Sequence, residues 1–506
     1  MPSPSLPREG APVELADRIC IVGAGQSGIM AAAKLRELGF ENIDILEAGA
    51  ELGGYCQTAE IDGATYDFQA HLVIQQDFGA DIAGTAIHEL LTRHPVELQT
   101  EALHFVSKDD SGKPRIAVPP HFVPLLHELT PEQAADQLAQ AWTIIERAIR
   151  ESRGPGLNGL AFDRVPGETW ETYRARHAPL VGEILQGLTL YANMRRPRQP
   201  AETVININAH ISGHVSQLAK MILSLYPGQR AALLARMPES LLAQMGSHRP
   251  VTRSLRHGFI SLLRRIGEDH GLRVELGTRV TAIEPVAPEG IRVSYTAGGT
   301  TGDAIYSRVI LTARPAQIRD IFPAGEIHDL FAEHNCPRAW TRSYLIKVSE
   351  EIIGFPRKPN SPEPLGFWVI DPYGSFTDTD PEQAMHRVTA ANKQHPGPYW
   401  VCFSNSDRSL SEAQAWALAK ESLFLFHEPE LISETIAEWP AYPSAAAIRA
   451  GWFDRIANLQ GRNGIYFTGE ILSGPTAECI SAFARAVIPA WFGPATGGCA
   501  DGRPTA

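Results

Sequence analysis

Cysteine is scarce in this 506-residue chain. The six residues, Cys20, Cys56, Cys336, Cys402, Cys479 and Cys499, form no CxxC pair and stand at no zinc-site spacing from a histidine. That scatter excludes a disulfide framework and a structural metal, and it fits a reducing, cytoplasmic compartment. No stretch approaches the roughly eighteen apolar residues that a membrane span requires. The opening MPSPSLPREGAPVE has no apolar h-region and reads as a disordered leader instead of a signal peptide. Basic residues form no stripe and the formal net charge is -12, so nucleic acid is not expected as a partner. What is present, 44% hydrophobic and 20% charged residues, is the composition of a globular enzyme with length for about three domain-sized units.

The most informative stretch is RICIVGAGQSGIMAAAKLRELGFENIDILE, Arg18 to Glu47. Ile19, Cys20, Ile21 and Val22 form a short continuous apolar run, as in a parallel strand covered on both faces. In the following Gly23-Ala24-Gly25-Gln26-Ser27-Gly28, the first glycine allows a tight turn and the second a close approach to a pyrophosphate. The third lets the next helix pack closely on the strand. That helix is expected from about Gln26 to Leu38, with Gly39 as its C-terminal stop. A second strand, Ile43 to Leu46, ends in Glu47, nineteen residues beyond Gly28, where a carboxylate accepts ribose hydroxyl protons. A lone glycine motif is an ordinary turn; strand, glycines, helix and a correctly spaced acid together indicate a dinucleotide site. Glu47 disfavours a 2′-phosphate, which leaves FAD or NAD.

Further along, Leu52-Gly53-Gly54-Tyr55 precedes an alternating segment, Ala64 to Phe68. Two adjacent glycines form either a plain turn or a second close backbone approach to a cofactor. With this pair and the YD-containing strand, the sequence resembles the flavin amine oxidase superfamily, related to phytoene desaturases, and the resemblance implies FAD. It also implies a closing contact near the C-terminus, and Gly464-Ile465-Tyr466-Phe467-Thr468-Gly469-Glu470 followed by an apolar helix, Ala477 to Phe492, matches one. The stretch AGWFDRIANLQGR before this strand is similar to FAD-dependent polyenoic fatty acid isomerases and to fungal flavin oxidocyclases of the β-cyclopiazonate dehydrogenase type.

Between these ends, Arg256 to Ile260 leads an amphipathic helix, and Leu272 to Ile283 reads as two short strands. The resemblance places a backbone contact to adenine at Val280. Ile291 to Tyr295 and Val309 to Thr312 continue the strand pattern, with Gly298-Gly299 as a hairpin turn. No second GxGxxG follows in a strand-helix context, so no separate NAD(P)H domain is expected and electrons must come from the substrate. The fold class is thus α/β: a discontinuous Rossmann-type FAD-binding domain (17–110, 250–330 and 436–495) with a mixed α+β substrate or cap domain (111–249 and 331–435). Residues 1–16 and 496–506 are expected to be disordered. In the cap, helices are expected at Pro131 to Arg150, Leu180 to Leu190, Gly213 to Leu225 and Glu412 to Phe426. Strands are expected at Tyr344 to Val348, Gly366 to Ile370 and Tyr399 to Phe403.

The expected cofactor contacts are Gly23, Gly25, Gln26, Ser27, Gly28, Glu47, Gly53, Gly54, Tyr55, Val280, Gly469 and Glu470, holding FAD noncovalently. No cysteine stands in a covalent flavin motif. Glu470 is read as a flavin or helix-terminus partner and not as a base. Catalytic residues are weakly marked. Candidates are Lys347, Tyr344 and Tyr191, with His210, His214 and Trp368 behind them. Lys347 alternates with apolar neighbours and reads as a solvent-facing residue, the alternative being a buried amine holding water at the flavin. His210 and His214 would share a helical face, but lack the third ligand or HExxH context of a metal site. The expected activity is hydride removal from a largely apolar, lipophilic small molecule by an oxidase or dehydrogenase. A double-bond isomerase of a polyunsaturated lipid is the alternative, and a non-catalytic flavin-binding protein the third.

Overall fold

The apolar run Ile19–Val22 is the middle strand of a five-stranded parallel sheet. The order is Val274–Glu275, Ile43–Leu46, Ile19–Val22, Arg308–Leu311 and Ile465–Phe467, with Ile19 opposite both Ile43 and Arg308. Ile19, Cys20 and Ile21 are wholly buried; a strand covered on both faces has no need of polar alternation. The structure, a computed structural model, describes residues 13–68, 70, 73–75, 86–101, 103–108, 114–116, 122–152, 168–186, 200–201, 204–205, 213–247, 251–288, 290–338, 340–348, 367–370, 388–391, 398–406, 410–423, 426, 428–439, 441–474 and 476–493.

The helix Gln26–Glu37 packs on Phe259–Asp269 and on Ala477–Phe492. Ala31, Ala32 and Ala33, successive positions around the helix, are all buried, so neighbours can approach closely on more than one side. Leu272 to Ile283 divides as expected into two strands, and they go to different sheets. Val274–Glu275 joins the parallel sheet, whereas Thr278–Val286 pairs with Gly290–Ala297, which in turn pairs with Thr300–Tyr306. Gly277, at φ +65°, makes the change of direction between them. Gly298 and Gly299, both at positive φ, form the hairpin turn.

A second, seven-stranded sheet runs Glu430–Glu438, Trp340–Lys347, Tyr399–Ser406, Val388–Ala391, Phe367–Ile370, Leu103–Lys108, Pro114–Ile116. Two of its strands reach into segments expected in the flavin domain. Leu103–Lys108, within the expected flavin segment 17–110, pairs in parallel with Phe367–Ile370. The strand Glu430–Glu438 runs past the expected change at 436 and pairs with Trp340–Lys347 along its whole length. An alternating strand reports that one face is covered and is silent on which sheet covers it.

The sheet has two different faces. Tyr344, Ile346, Trp400 and Cys402 pack under the helix Glu412–Ser422 with Ala419, Leu423 and Phe426. Leu345, Val401 and Phe403 pack on Tyr66 and Phe68 from the hairpin Thr58–Ile61 and Ala64–Asp67. A helical layer has its own core, built on Trp142, Trp170, Leu180, Ile184, Leu218 and Ile222. Its helices Pro131–Ser152, Pro179–Gln186 and Gly213–Leu225 lie close to the expected ones.

Arg342, 2% exposed, donates to Glu434 across the strand pair and to the Leu410 carbonyl at 2.8 Å. Removing one partner strands a buried charge, whereas removing both does not. Arg342→Met is therefore expected to cost about 3–5 kcal/mol, read as a lower urea midpoint, and Arg342→Met with Glu434→Leu should recover most of the loss.

Candidate functional site

The carboxyl ends of the parallel strands converge on one place, and the glycines there are packed too tightly for side chains. Gly23 turns at φ +106° and its N–H donates to the Leu46 carbonyl at 2.8 Å. A Cβ on Gly28 would lie 1.9 Å from the Gly23 carbonyl oxygen, so only glycine lets the helix start this close to the turn. The next glycine pair closes on the first. Gly53 donates to the Ala24 carbonyl at 2.8 Å and bridges Gly25, while a Cβ on Gly54 would stand 3.1 Å from the Gly25 Cα. Gly53 (φ +119°) and Gly54 (φ +58°) both take backbone conformations that suit glycine.

The helix Gln26–Glu37 has no side-chain cap; Gly25 occupies that position and its first turn contains no acidic residue. Unsatisfied N–H groups at such an end attract a phosphate. Ser27 is buried in this turn. Gln26 is buried too, but its amide donates to the Ala477 carbonyl and to Ser481 Oγ, each at 2.8 Å. Its side chain is thus spent on the last helix, so the backbone N–H is what Gln26 has to offer a cofactor.

Glu47 holds the far side of the turn. Its Oε2 accepts from the Ala24 N–H and its Oε1 from the Gly49 N–H, both at 2.7 Å. Its own carbonyl accepts from the Thr278 N–H at 2.8 Å, which brings Val280, buried and two residues on, to the same end of the site. At the other side Thr312 Oγ1 donates to the Val22 carbonyl at 2.8 Å, and a Cβ on Gly23 would meet this oxygen at 2.6 Å. Gly469, at φ +114°, lies against the Thr312 carbonyl, 3.3 Å from where its Cβ would be.

Glu470 follows. It accepts from the Ala441 N–H at 2.8 Å. Its carboxyl retains some solvent access, yet so much protein surrounds it that desolvation pushes it up to about 8, helped by Glu438 and opposed by the Ala441 N–H and Arg314. Nearby, the Tyr55 hydroxyl donates to the Glu438 carbonyl, and the Arg314 guanidinium lies 4.9 Å from the Tyr55 ring centre. Burial, first of all, raises the Tyr55 phenol.

The twelve residues expected around a cofactor thus gather at one end of one sheet. Of the catalytic candidates, the two described in full, Tyr344 and Lys347, stand apart from them. Tyr344 is fully buried on the sheet face covered by Glu412–Ser422, its ring 5.5 Å from that of Trp416. Lys347 is exposed at the strand end, as its alternation with apolar residues implied. Tyr191 and His210 lie outside the described residues, as do the side chains of His214 and Trp368. Among the described residues no group of three or more His, Cys, Asp or Glu could hold a metal ion, and no helix is long and apolar enough to cross a membrane. Residue type gave no warning of the contacts made by Glu438 and Ala441, because both use their backbone.

A sequence profile of flavin containing amine oxidoreductases matches residues 26–477. The chain belongs to this family. The family binds FAD, and the cradle accepts it on structural grounds: its glycine walls would be filled by any Cβ, and its helix end is uncapped. A polyenoic fatty acid isomerase from Ptilota filicina is 36% identical over 55 residues, about a tenth (11%) of either chain. Among solved structures, a CLA-producing fatty acid isomerase from P. acnes superposes with TM-score 0.69 at 14% identity, covering 95% of this chain and all of that one. A putrescine oxidase gives 0.61 at 15% identity, covering 93% and 98%. At these identities the superpositions speak for the flavin amine oxidoreductase fold alone.

Two predictions test the cradle. Glu47→Gln turns one acceptor toward a backbone N–H into a donor, and Gly54→Ala places a Cβ at a positive φ against Gly25; each should weaken FAD binding by about tenfold or more, measured by quenching of FAD fluorescence. The third concerns the proton on Glu470. Because its folded carboxyl is raised from about 4.5 to about 8, the stability it contributes is complete below the lower value and lost as pH rises through the upper one. In the cofactor-free protein, the fall in unfolding midpoint across that window should be shallower in Glu470→Gln, and the variant should be the more stable form above pH 8.

Proposed function

We propose that the protein is an FAD-dependent oxidoreductase, an oxidase or dehydrogenase, that removes hydride from a C–H bond of a largely apolar small molecule. The observation that carries this reading is the backbone contact of Gly25 with Gly54, closed from the far side by Gly469 on Thr312. It makes a cradle for a whole dinucleotide instead of a single phosphate. Bound FAD supplies a hydride acceptor at the flavin N5. Toward it, the N–H groups at Gly25, Gln26 and Ser27 receive the pyrophosphate, Glu47 takes the adenosine ribose, and the Val280 backbone borders adenine. Gly53, Gly54, Tyr55, Gly469 and Glu470 line the flavin half.

Noncovalent binding is supported by the cysteines. Cys20, Cys56, Cys336, Cys402 and Cys479 are all buried, and burial raises each thiol, which leaves no reactive thiolate for attachment among the described cysteines. Positioning rather than proton shuttling is supported by the strand Trp340–Lys347. Tyr344 is turned away from the face that meets Tyr66 and Phe68, Leu345 packs there, and Lys347, at the end of the strand, is exposed. A site of that kind works by orienting substrate and excluding water.

A second reading, a double-bond isomerase, has its own support in the 55-residue match to a polyenoic fatty acid isomerase. Hydride would then return to the same carbon chain, with no net oxidation. Anaerobic mixing of the FAD-loaded protein with polyunsaturated fatty acids and with primary amines separates the two. Bleaching of the flavin absorbance that persists until oxygen enters is expected for the oxidase or dehydrogenase. Turnover without oxygen, giving a product of unchanged mass and shifted double bonds, would overturn it in favour of the isomerase.

A further inference from the structure

The chain crosses from the seven-stranded sheet back to the flavin module at Glu438, Trp439 and Ala441, directly after the edge strand Glu430–Glu438. Three backbone groups of this short crossing are held by side chains from three different elements. The Tyr55 hydroxyl donates to the Glu438 carbonyl. Thr341 Oγ1 donates to the Trp439 carbonyl at 3.1 Å. Glu470 accepts from the Ala441 N–H at 2.8 Å. Thr341 belongs to the sheet itself, but Tyr55 and Glu470 each follow immediately on a glycine of the cradle, Gly54 and Gly469.

We propose that Tyr55 and Glu470 are positioning residues that join the cofactor cradle to the edge of the substrate sheet, so that filling the cradle fixes where that edge stands. Gly54 touches Gly25, at the start of the uncapped helix, and Gly469 touches Thr312. A ligand that orders these glycines therefore orders the two side chains beside them. Arg314 completes the joint. It follows Thr312 by two residues and caps the helix Pro315–Ile321, so its guanidinium, lying over the Tyr55 ring, ties that ring to the same strand end. Glu438 is itself within reach of Arg338, Nε to Oε1 3.9 Å. Glu470 can hold Ala441 beside this second carboxylate because a protonated Glu470 adds no like charge there. Rigidity at one ligand site is thereby passed to another through packed, hydrogen-bonded groups.

The inference rests on the cradle holding FAD and is independent of whether the reaction is an oxidation or an isomerisation. It is tested by hydrogen exchange on the full chain, stripped of flavin and then loaded with free FAD, with binding followed separately by FAD fluorescence quenching. In the parent protein, FAD is expected to slow exchange of the Glu430–Glu438 amides by about tenfold. Tyr55→Phe keeps the ring under Arg314 and loses only the donor. Compared at FAD concentrations that quenching shows to saturate each form, whatever its affinity, that protection should be reduced to about twofold or less. Glu470→Ala should behave likewise, and Glu470→Gln, which keeps the acceptor without charge, should restore the parent response at pH 7. Equal FAD-induced protection in the parent, Tyr55→Phe and Glu470→Ala would overturn the joint while leaving the cradle intact. Absence of quenching in the parent would overturn both, and is distinguishable because no flavin is then bound. Should Tyr55→Phe not fold, the Glu470 pair decides alone.

Discussion

The contact between the Gly25 and Gly54 backbones constrains everything around it. A side chain on Gly54 would press on the Gly25 Cα at 3.1 Å, and Gly54 also takes a positive φ, so the close approach depends on glycine at position 54. Once closed, it fixes the second glycine segment to the end of the middle strand and the start of the first helix. The remaining strand ends are then located in turn: Thr312 beside Gly23 through its hydroxyl, and Gly469 against the Thr312 carbonyl. Three parts of the chain separated by hundreds of residues are thus brought into close contact at glycines. This is why the site lies beyond the carboxyl ends of the parallel strands, where ligands of open α/β sheets are found.

Two carboxylates border this cradle and are handled in opposite ways. Glu47 receives two backbone N–H groups, one on each oxygen, and thereby holds the glycine turn as well as offering acceptors to a ribose. Glu470 receives one N–H and faces another carboxylate, with desolvation outweighing both that bond and Arg314. A proton is the simplest way for such a group to persist in the fold. The first acid supports shape through charge-assisted bonds; the second supports it by being neutral.

How much of this was legible in the sequence depends on whether a residue type carried the information. Gly23, Gly25, Gly28 and Glu47 were legible because spacing and chemistry restrict them jointly, and Gly53 and Gly54 became so once the family resemblance gave the pair a partner. The strand Leu103–Lys108 was not assigned to its sheet, because alternation reports a covered face without naming the cover. Nor was the side-chain role of Gln26: an amide that bonds the last helix looks in sequence like one that meets a phosphate. Tyr344 and Lys347 were plausible as candidates since they stand in the right strand. A strand, however, sends neighbouring residues to opposite faces, and the pairing that decides between faces is made with residues far along the chain.

That same alternation bears on the chemistry. The strand Trp340–Lys347 turns Tyr344 and Ile346 to one core and Leu345 to the other, where Tyr66 and Phe68 carry the surface back toward the second glycine segment. Ser343, next along on that side, spends its hydroxyl on the Phe68 carbonyl. This hydroxyl is thus committed to holding the strand against the hairpin segment. A reaction carried by flavin tolerates this arrangement, since the transferred hydride needs an acceptor at the right distance more than it needs a protein base. Distance is the property that such inter-module bonds set, and the crossing at Glu438, Trp439 and Ala441 is gripped from both modules.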